Sequence, residues 1–320
     1  MCGITGFISF DLDNESIKKT IISMSKKLIH RGPDDDGLWI DYEVGIALSH
    51  RRLAIVDLSS AGHQPMFSIC KRFCIILNGE IYNHISIRKQ LPKSLKWKGH
   101  SDTETIINAI AHWGIQKTLE KIVGMYAFAL WDRKERKLTL ARDRMGEKPL
   151  YYGFSNSSLL FSSELKALNA FPSFSAEIDK TILGTYLRFG NIPAPYSIYK
   201  EIYKLEPGMY LEFHMNDISK KSIPKPTNYW DINSIAYERK INPFVSSDSD
   251  AIEFLDLLLK KTISEQLLGD VPIGAFLSGG IDSSSIVSIM QNLSSNPIKT
   301  FTVGFNEHDY DESFKARSIA

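Results

Sequence analysis

The chain has 320 residues, of which 43% are hydrophobic and 23% are charged, and its formal net charge is +1. This composition predicts a soluble globular protein of about two domains, and the balanced charge argues against nucleic acid or an anionic membrane as a partner. No apolar run approaches the roughly 18 residues of a membrane span, no secretory signal is recognisable, and three cysteines do not make a disulfide framework. We therefore expect a cytoplasmic protein without a membrane segment.

The chain begins Met1-Cys2-Gly3-Ile4, and residues 3–10 have the apolar character of a buried strand. If Met1 is removed, Cys2 carries a thiol and a free α-amine on one Cα atom. An α-amine has a pKa of about 7.7–8.0, so it can take the thiol proton and activate Cys2 without a His or Asp partner. The plainer interpretation is an ordinary strand residue, and this motif alone does not decide between the two.

Asp13 or Asn14 can cap an amphipathic helix that ends at His-Arg-Gly-Pro, residues 30–33. A predicted strand at 44–49 then leads to a pair of arginines that includes Arg52. Arginines at a strand end are either surface charges or ligands for the carboxylate of an amino acid, which the guanidinium fork binds well.

A second group of polar residues follows the predicted strand 73–77, which ends in Asn78-Gly79-Glu80. Asn-Gly is a turn signal, but an Asn amide and a Gly N–H at a strand end are also donors that can stabilise an oxyanion. Asp102 begins the next predicted helix, so it is either a helix cap or a carboxylate for a substrate ammonium.

The following part of the chain predicts a layered antiparallel β structure, because it contains short apolar segments separated by turns, at 124–131, 138–142, 150–154 and 159–163. Further along, Pro207-Gly208 within residues 203–211 predicts a hairpin. The polar stretch that follows is typical of a linker. We therefore predict a first domain at 1–212, a linker at 213–249 and a second domain at 250–320.

Together, these segments resemble the class II glutamine amidotransferase domain, in the form found in glutamine-dependent asparagine synthetases. The resemblance covers about residues 1–165 and rests on the motifs at 1–4, 30–34, 52–57, 78–83, 101–104 and 124–128. It implies an α+β N-terminal domain with the N-terminal-nucleophile amidohydrolase fold, an αββα sandwich.

The resemblance also implies a role for each matching residue. Cys2 would attack the side-chain amide of glutamine, while the Asn78 amide and the Gly79 N–H would stabilise the oxyanion. Arg52 would bind the glutamine carboxylate. Asn78 and Gly79 would also line the glutamine pocket, which would be completed by backbone groups near Ile55 and Val56 and, for the ammonium, by Glu80 and Asp102.

The second domain is predicted to contain a strand at 271–277, a Gly-rich turn at 278–284, a helix after that turn and a second strand at 300–305. Free N–H groups at a helix N-terminus bind phosphate, although tight strand-to-helix turns need glycine in any case. The turn is not the Walker pattern, because no Gly-Lys-Ser/Thr closes it.

Instead, Ser-Gly-Gly-x-Asp-Ser resembles the pyrophosphate loop of enzymes that adenylate a carboxylate, and it implies the start of a parallel-sheet α/β domain of the adenine-nucleotide α-hydrolase type. The cofactors implied are ATP and Mg²⁺, with Asp282 the candidate metal contact. The implied ATP-binding residues are Leu277, Ser278, Gly279, Gly280, Asp282, Ser283 and Val303.

We expect the chain to be a truncated member of this family, since the family continues beyond residue 320, and we expect residues 250–320 to be poorly ordered by themselves. The function implied for the parent protein is synthesis of asparagine from glutamine, ATP and aspartate, with a homodimer as the implied assembly. Alternatives are a sugar-acid acceptor in place of aspartate, glutaminase activity only, or a non-catalytic chain that binds nucleotide or a partner subunit.

Overall fold

The computed structural model describes residues 1–307 and 309–320. They form two compact units, Met1–Ile232 and Asn233–Ala320. The first unit is longer than the predicted 1–212, because Met209 and Tyr210 pair with Asn228 and Thr227 and so hold that later segment on the sheet. No helix in the described part of the chain is both long enough and apolar enough to cross a bilayer.

The strands of the first unit are numbered in chain order. They are β1 Gly3–Ile8, β2 Asp35–Asp41, β3 Ile46–Arg52, β4 Met66–Phe67, β5 Phe73–Ile81, β6 Gly124–Asp132, β7 Lys137–Arg142, β8 Tyr151–Ser155, β9 Ser158–Ser162, β10 Ile202–Lys204, β11 Met209–His214 and β12 Thr227–Asn228. In residues 1–232, all of which are described, these strands form two six-stranded antiparallel sheets, in the orders β10-β8-β9-β1-β3-β2 and β12-β11-β7-β6-β5-β4.

The helices are likewise numbered along the whole chain. They are α1 Asn14–Lys26, α2 His84–Gln90, α3 Asp102–Trp113, α4 Ile115–Lys121, α5 Leu165–Leu168, α6 Lys180–Phe189, α7 Met215–Ser219, α8 Ile232–Ile241, α9 Asp248–Gln266, α10 Ile281–Leu293 and α11 Ser313–Ile319. Short 3₁₀ turns occur at Ile29–Arg31 and Ser60–Gly62. Asp13 caps α1 by accepting a hydrogen bond from the Ser16 N–H at 2.8 Å, as its position before the helix predicts.

Alternation along β5 explains the layers of the first unit. Ile76 belongs to the core between the two sheets, whereas Ile75 and Leu77 belong to the core under the outer helices α2, α3 and α4. On the other sheet, Phe7 packs with Ile21 of α1. The arrangement is helix, sheet, sheet, helix, which confirms the predicted αββα sandwich.

The hairpin predicted around Pro207-Gly208 is wrong. Strand β10 pairs with β8, whereas β11 pairs with β7 in the other sheet. Gly208 has φ +69°, and a Cβ atom there would lie 2.1 Å from the Trp230 carbonyl oxygen. The Pro-Gly turn therefore carries the chain from one sheet to the other, because each flanking strand finds its partner far away in the sequence.

The second unit contains two parallel strands, β13 Gly274–Phe276 and β14 Lys299–Phe301, joined through α10. This is the predicted strand, helix and parallel strand. Its interior is small: among the described residues of this unit, the buried hydrophobic side chains are Ile263, Leu277, Met290 and Ala316. The predicted linker, 213–249, contains α7, β12, α8 and the start of α9.

Candidate active site

Cys2 lies immediately before β1, which is an interior strand between β3 and β9. Its Sγ atom is 3.4 Å from the Leu53 N–H and 3.6 Å from the Leu53 carbonyl oxygen. Arg31 donates from Nε to the Cys2 carbonyl oxygen at 2.8 Å and from Nη1 to Glu164 at 2.8 Å. Both the thiol and the backbone of Cys2 are therefore held in place.

Burial is the main reason that the pKa of the Cys2 thiol is raised. The hydrogen bond with the Leu53 backbone lowers that pKa, Asp102 raises it and Arg52 lowers it. The pKa of the Met1 amine is lowered, again mainly by burial. A thiol in this setting stays protonated near neutral pH unless a base removes its proton.

Asn78 lies within β5 and is fully buried, and neither its amide oxygen nor its amide nitrogen has a hydrogen-bond partner among the described residues. Buried polar groups of folded proteins are almost always paired, so an unpaired amide at this position is available to a ligand. A Cβ atom on the neighbouring Gly79 would lie 2.1 Å from the Met125 carbonyl oxygen on β6. This close approach explains why the residue is glycine.

Asp102 is not the cap of α3, because Ser101 accepts the capping hydrogen bond from the Glu104 N–H at 3.1 Å. Asp102 is buried, and its carboxylate accepts from the Ile81 N–H at 2.9 Å and from the Thr103 N–H at 2.7 Å. Burial raises its pKa, and these two hydrogen bonds act in the opposite direction. The carboxylate therefore stands beside the end of β5, where Glu80 lies.

Glu80 is partly buried, and its pKa is raised to about 7, first by burial and then by the Asp102 carboxylate. Lys148 acts in the opposite direction. Two carboxyl groups that repel each other in a desolvated place favour the binding of a cation, which agrees with the role that the resemblance implies for Glu80 and Asp102.

Arg52 is buried at the end of β3, where it organises the loop that follows. Its guanidinium donates to the carbonyl oxygens of Ser59 at 3.2 Å, Val56 at 3.4 Å and Asp57. Arg52 also lines an open cavity of about 520 Å³, together with Asp34, Asp35, Ala54, Leu58, Ser59, Ser60 and His63. Ile55 and Val56 lie in this loop but do not line that cavity, and neither do Cys2, Asn78 or Asp102.

The two sheets are joined directly beside the site. His50 of β3 is buried, and its Nε2 lies 3.0 Å from the Leu77 carbonyl oxygen on β5. Burial lowers the pKa of His50 to about 4, so this imidazole is neutral and its role is to link the two sheets. The predicted residues therefore form two groups: Cys2 with Arg52 at one sheet, and the segment from Asn78 to Glu80 at the other, with Asp102 of α3 bonded to the end of β5.

Sequence reasoning missed Lys148, which is buried beside this site. Its ammonium contacts the thioether sulfurs of Met125 at 2.8 Å and Met1 at 3.5 Å. Arg31, which lies near Lys148, forms an ion pair with Glu164 at 2.8 Å. The sequence signal for Lys148 was its position in the Gly-Glu-Lys-Pro segment, residues 146–149, but nothing local places that segment near Cys2.

In the second unit, the predicted phosphate loop connects β13 to α10. Ser278 and Ser283 approach each other with their hydroxyl oxygens at 3.0 Å, and Gly279 has φ +83°, which favours glycine. The N-cap of α10 is Gly280, which has no side chain with which to cap the helix. The first N–H groups of α10 therefore have no capping side chain, as an anion-binding helix end requires.

A cavity of about 240 Å³ lies beside this loop and brings together Leu277, Ser278 and Val303 of the predicted ATP set. Leu277 is buried, and its backbone N–H donates to the Phe301 carbonyl oxygen at 2.9 Å. The chemistry of these residues suits ATP, since an apolar cavity adjoins the N-terminus of α10. Asp282 in the first turn of α10 offers one carboxylate, which is what Mg²⁺ bound mainly through phosphates needs.

Comparisons with known proteins agree with both halves of this description. Residues 1–230 match the model of the glutamine amidotransferase domain, and residues 255–320 match that of asparagine synthase. Two Bacillus subtilis proteins named asparagine synthetase (glutamine-hydrolyzing) are similar to the chain. Synthetase 3 is 34% identical, and the match covers 97% of this chain and 49% of that protein. Synthetase 1 is 35% identical, and the match covers 100% of this chain and 48% of that protein. The chain thus spans about half the length of these relatives.

Among solved structures, glutamine phosphoribosylpyrophosphate amidotransferase from B. subtilis shares the fold. The TM-score is 0.51 at 18% identity, and the alignment covers 72% of this chain and 49% of that protein. The match of the family model to residues 1–230 covers most of the chain, and the observed αββα sandwich agrees with it. The chain belongs to the glutamine amidotransferase family.

Proposed function

We propose that the first unit is a glutaminase in which Cys2, freed by removal of Met1, is the nucleophile. The observation that carries this proposal is the unpaired, fully buried amide of Asn78 on the strand that faces the Cys2 sheet. An amide left without a partner in a protein interior is costly, and an oxyanion that forms during attack by Cys2 would satisfy it.

The proposed reaction has two steps. The Cys2 α-amine takes the thiol proton, the sulfur bonds to the side-chain carbonyl carbon of glutamine, and the Asn78 amide with the Gly79 N–H holds the oxyanion. The proton then goes to the leaving nitrogen, so ammonia departs and a thioester remains. Water cleaves the thioester to glutamate and restores the thiol.

Substrate binding is proposed to divide between the two groups of site residues. Arg52, with backbone groups near Ile55 and Val56, would receive the glutamine carboxylate. Glu80 and Asp102 would receive the ammonium. The raised pKa of Glu80 and its repulsion from Asp102 support a cation site there.

For the whole protein of which this chain would form part, we propose ATP-dependent asparagine synthesis in the cytoplasm. When bound, ATP with Mg²⁺ would activate the aspartate carboxylate, and ammonia from the first unit would give asparagine, AMP and pyrophosphate. Ser278, Gly279, Gly280, Asp282 and Ser283 would hold the phosphates, and Leu277 and Val303 would flank the base. Support comes from the cavity at the loop and from the names of the relatives. We also propose a homodimer, which a sedimentation measurement tests.

Glutaminase activity without synthesis is the second candidate for these 320 residues. It is favoured by the contrast between the two-sheet core of the first unit and the few buried side chains among the described residues of the second. Amidation of aspartate by the purified chain would rule this candidate out.

The deciding experiment is the intact mass of the purified chain before and after incubation with the glutamine analogue 6-diazo-5-oxo-norleucine. We expect a mass without Met1 and one adduct, located on Cys2 by peptide mapping. Glutamate and ammonia production should stop in the labelled protein. Retained Met1 with no adduct would contradict the proposed function.

A further inference from the structure

A buried carboxylate fixes the segment that carries Lys148. Asp143 is fully buried and accepts hydrogen bonds from the N–H groups of Tyr126 at 3.2 Å, Met145 at 3.1 Å, Glu147 at 2.9 Å and Lys148 at 3.0 Å. One side chain therefore ties the turn at 143–148 to β6. The position of Lys148 follows from this anchor, since its own N–H is one of the four donors.

The Lys148 ammonium is buried, with 5% of the residue exposed. Within the described residues, its hydrogen-bond partners are the sulfurs of Met125 and Met1. Thioether sulfur is a weak acceptor, and a buried cation without a strong acceptor is costly. Removal of Met1 would take away one of the two contacts. A buried ammonium with only thioether acceptors is stabilised by a nearby anion.

Glu147 and Asp143 are the anions that act most strongly on Lys148, and Met125 connects it to a third, because Met125 of β6 pairs directly with Glu80 of β5. Residues that are directly opposite in an antiparallel pair project from the same face of the sheet. Met125 is thus the shared neighbour of Lys148 and Glu80. The two charges act on each other: Lys148 lowers the pKa of Glu80, and Glu80 raises that of Lys148.

We propose that Lys148 is a positioning residue of the glutaminase site, whose buried ammonium favours the charged form of Glu80, the form that receives the ammonium group of glutamine. This inference rests on the proposed function. It adds a residue outside the set that the family resemblance implies, and it assigns Lys148 an effect on substrate binding at neutral and acidic pH.

The groups that act on this pair come from several elements. Asp102 raises the pKa of Glu80, and Glu80 in turn raises that of Tyr82. Burial is the main cause of the lowered pKa of Lys148; its other charged neighbours, apart from Glu80, are Glu147, Asp143 and Arg31. Of the groups that act on Glu80, Lys148 is the cation, so replacing it is the direct test.

The test compares kcat/KM for glutamine between pH 6 and pH 9 in the 320-residue chain and in K148M, with K148R as the charge-conserving variant. K117M, which removes an exposed lysine from α4, is the control for loss of one positive charge. Lys148 also lowers the pKa of the N-terminal amine, so KM and kcat are measured separately at each pH: an effect through Glu80 changes KM, whereas an effect through the amine changes kcat.

Since the pKa of Glu80 is about 7, loss of Lys148 raises it further and leaves less of Glu80 ionised at pH 7. We therefore expect K148M to have a lower kcat/KM than the parent at pH 7, through KM, and the ratio of variant to parent to approach one above pH 9. K148R should lie closer to the parent, and K117M should match it. A K148M ratio that is constant with pH would overturn the proposal.

A second readout does not need activity. The carboxyl ¹³C signal of Glu80, assigned by its loss in E80Q, gives the Glu80 titration directly in the parent and in K148M. An upward move of the midpoint in K148M supports the inference, and an unchanged midpoint overturns it. If the parent hydrolyses no glutamine, the proposed function fails, while this titration still decides the coupling of Lys148 to Glu80.

Discussion

The Sγ atom of Cys2 lies 3.4 Å from the backbone N–H of Leu53, at the point where β3 ends. The loop after Arg52 therefore holds the thiol as well as the proposed carboxylate site. We expect C2A to give no adduct with 6-diazo-5-oxo-norleucine and no glutamate. C70A, which removes an exposed cysteine, is the control and should label fully. If mass spectrometry detects labelling of C2A, Cys2 is not the nucleophile.

The second prediction separates stability from catalysis at Asn78. Because its buried amide has no partner among the described residues, N78A should lose no stability and could gain about 1 kcal/mol. Loss of an oxyanion donor should lower kcat about 10²–10³-fold. Unfolding in urea and glutaminase assays measure the two effects.

Asn108 provides the matched control for this variant. It is also buried, but its amide oxygen accepts from the Ile69 N–H at 2.9 Å and its amide nitrogen donates to the Glu104 carbonyl oxygen at 2.8 Å. N108A should therefore lose about 1–3 kcal/mol of stability and keep its kcat. A destabilised N78A with normal kcat would make Asn78 a structural residue.

The third prediction concerns the pH dependence of stability at Glu80. Its pKa is raised from 4.5 to about 7 in the folded chain, so between these values the folded state binds more protons than the unfolded state. The free energy of unfolding therefore falls as pH rises through this window. E80Q removes the titrating group and with it this pH dependence. Because Glu80 is only partly buried, we expect E80Q to be about 1 kcal/mol more stable than the parent at pH 8 and equally stable at pH 4.

Urea unfolding followed by tryptophan fluorescence measures the free energy of unfolding of the first unit alone. All five tryptophans lie within residues 1–232, at positions 39, 97, 113, 131 and 230. Equal gains for E80Q at pH 4 and pH 8 would contradict the explanation. We expect the same variant to bind glutamine poorly, so stability and activity would move in opposite directions.

The fourth prediction tests the anchor beneath Lys148. D143A would leave four backbone N–H groups without their acceptor, so we expect a loss of at least about 3 kcal/mol in the same fluorescence assay. D13A, which removes only the exposed cap of α1, should cost about 1 kcal/mol. Similar losses for the two variants would show that Asp143 is not the anchor.

The fifth prediction concerns the second unit, residues 233–320. Few of its described side chains are buried, and a sheet of two strands has little area for packing. We expect its amides to exchange with deuterium much faster than those of β5 and β6 in the isolated monomer. Full protection of residues 250–320 over hours would contradict this.

Local patterns predicted most strands and helices, whereas the αββα sandwich and the roles proposed for the site residues came from the family resemblance. The polar segment from Asn78 to Glu80 lies at the end of a buried strand, as its position after 73–77 indicates. For Asp102, the sequence left a cap and a functional carboxylate open, and the structure gives the cap to Ser101. A one-residue difference in helix start decided this, and propensity does not resolve such a difference.

The remaining features depend on contacts between distant parts of the chain. Lys148 reaches Met125 because Asp143 anchors its turn to β6. The chain changes sheets at Pro207-Gly208 because β10 and β11 pair with strands that lie far earlier in the sequence, β8 and β7. Periodicity and turn chemistry report on neighbours in sequence. They contain no information about which strand a segment will join.

The interior position of β1 determines when the site can assemble during synthesis. Thr5 pairs with Ser49 on one side and with Ser162 on the other. A ribosome must therefore release more than half of the chain before the second neighbour of β1 exists. Until then β1 lacks one of its two neighbours, and we expect its first residues to be open to the aminopeptidase that would remove Met1, so that the nucleophile is exposed before the pocket closes around it.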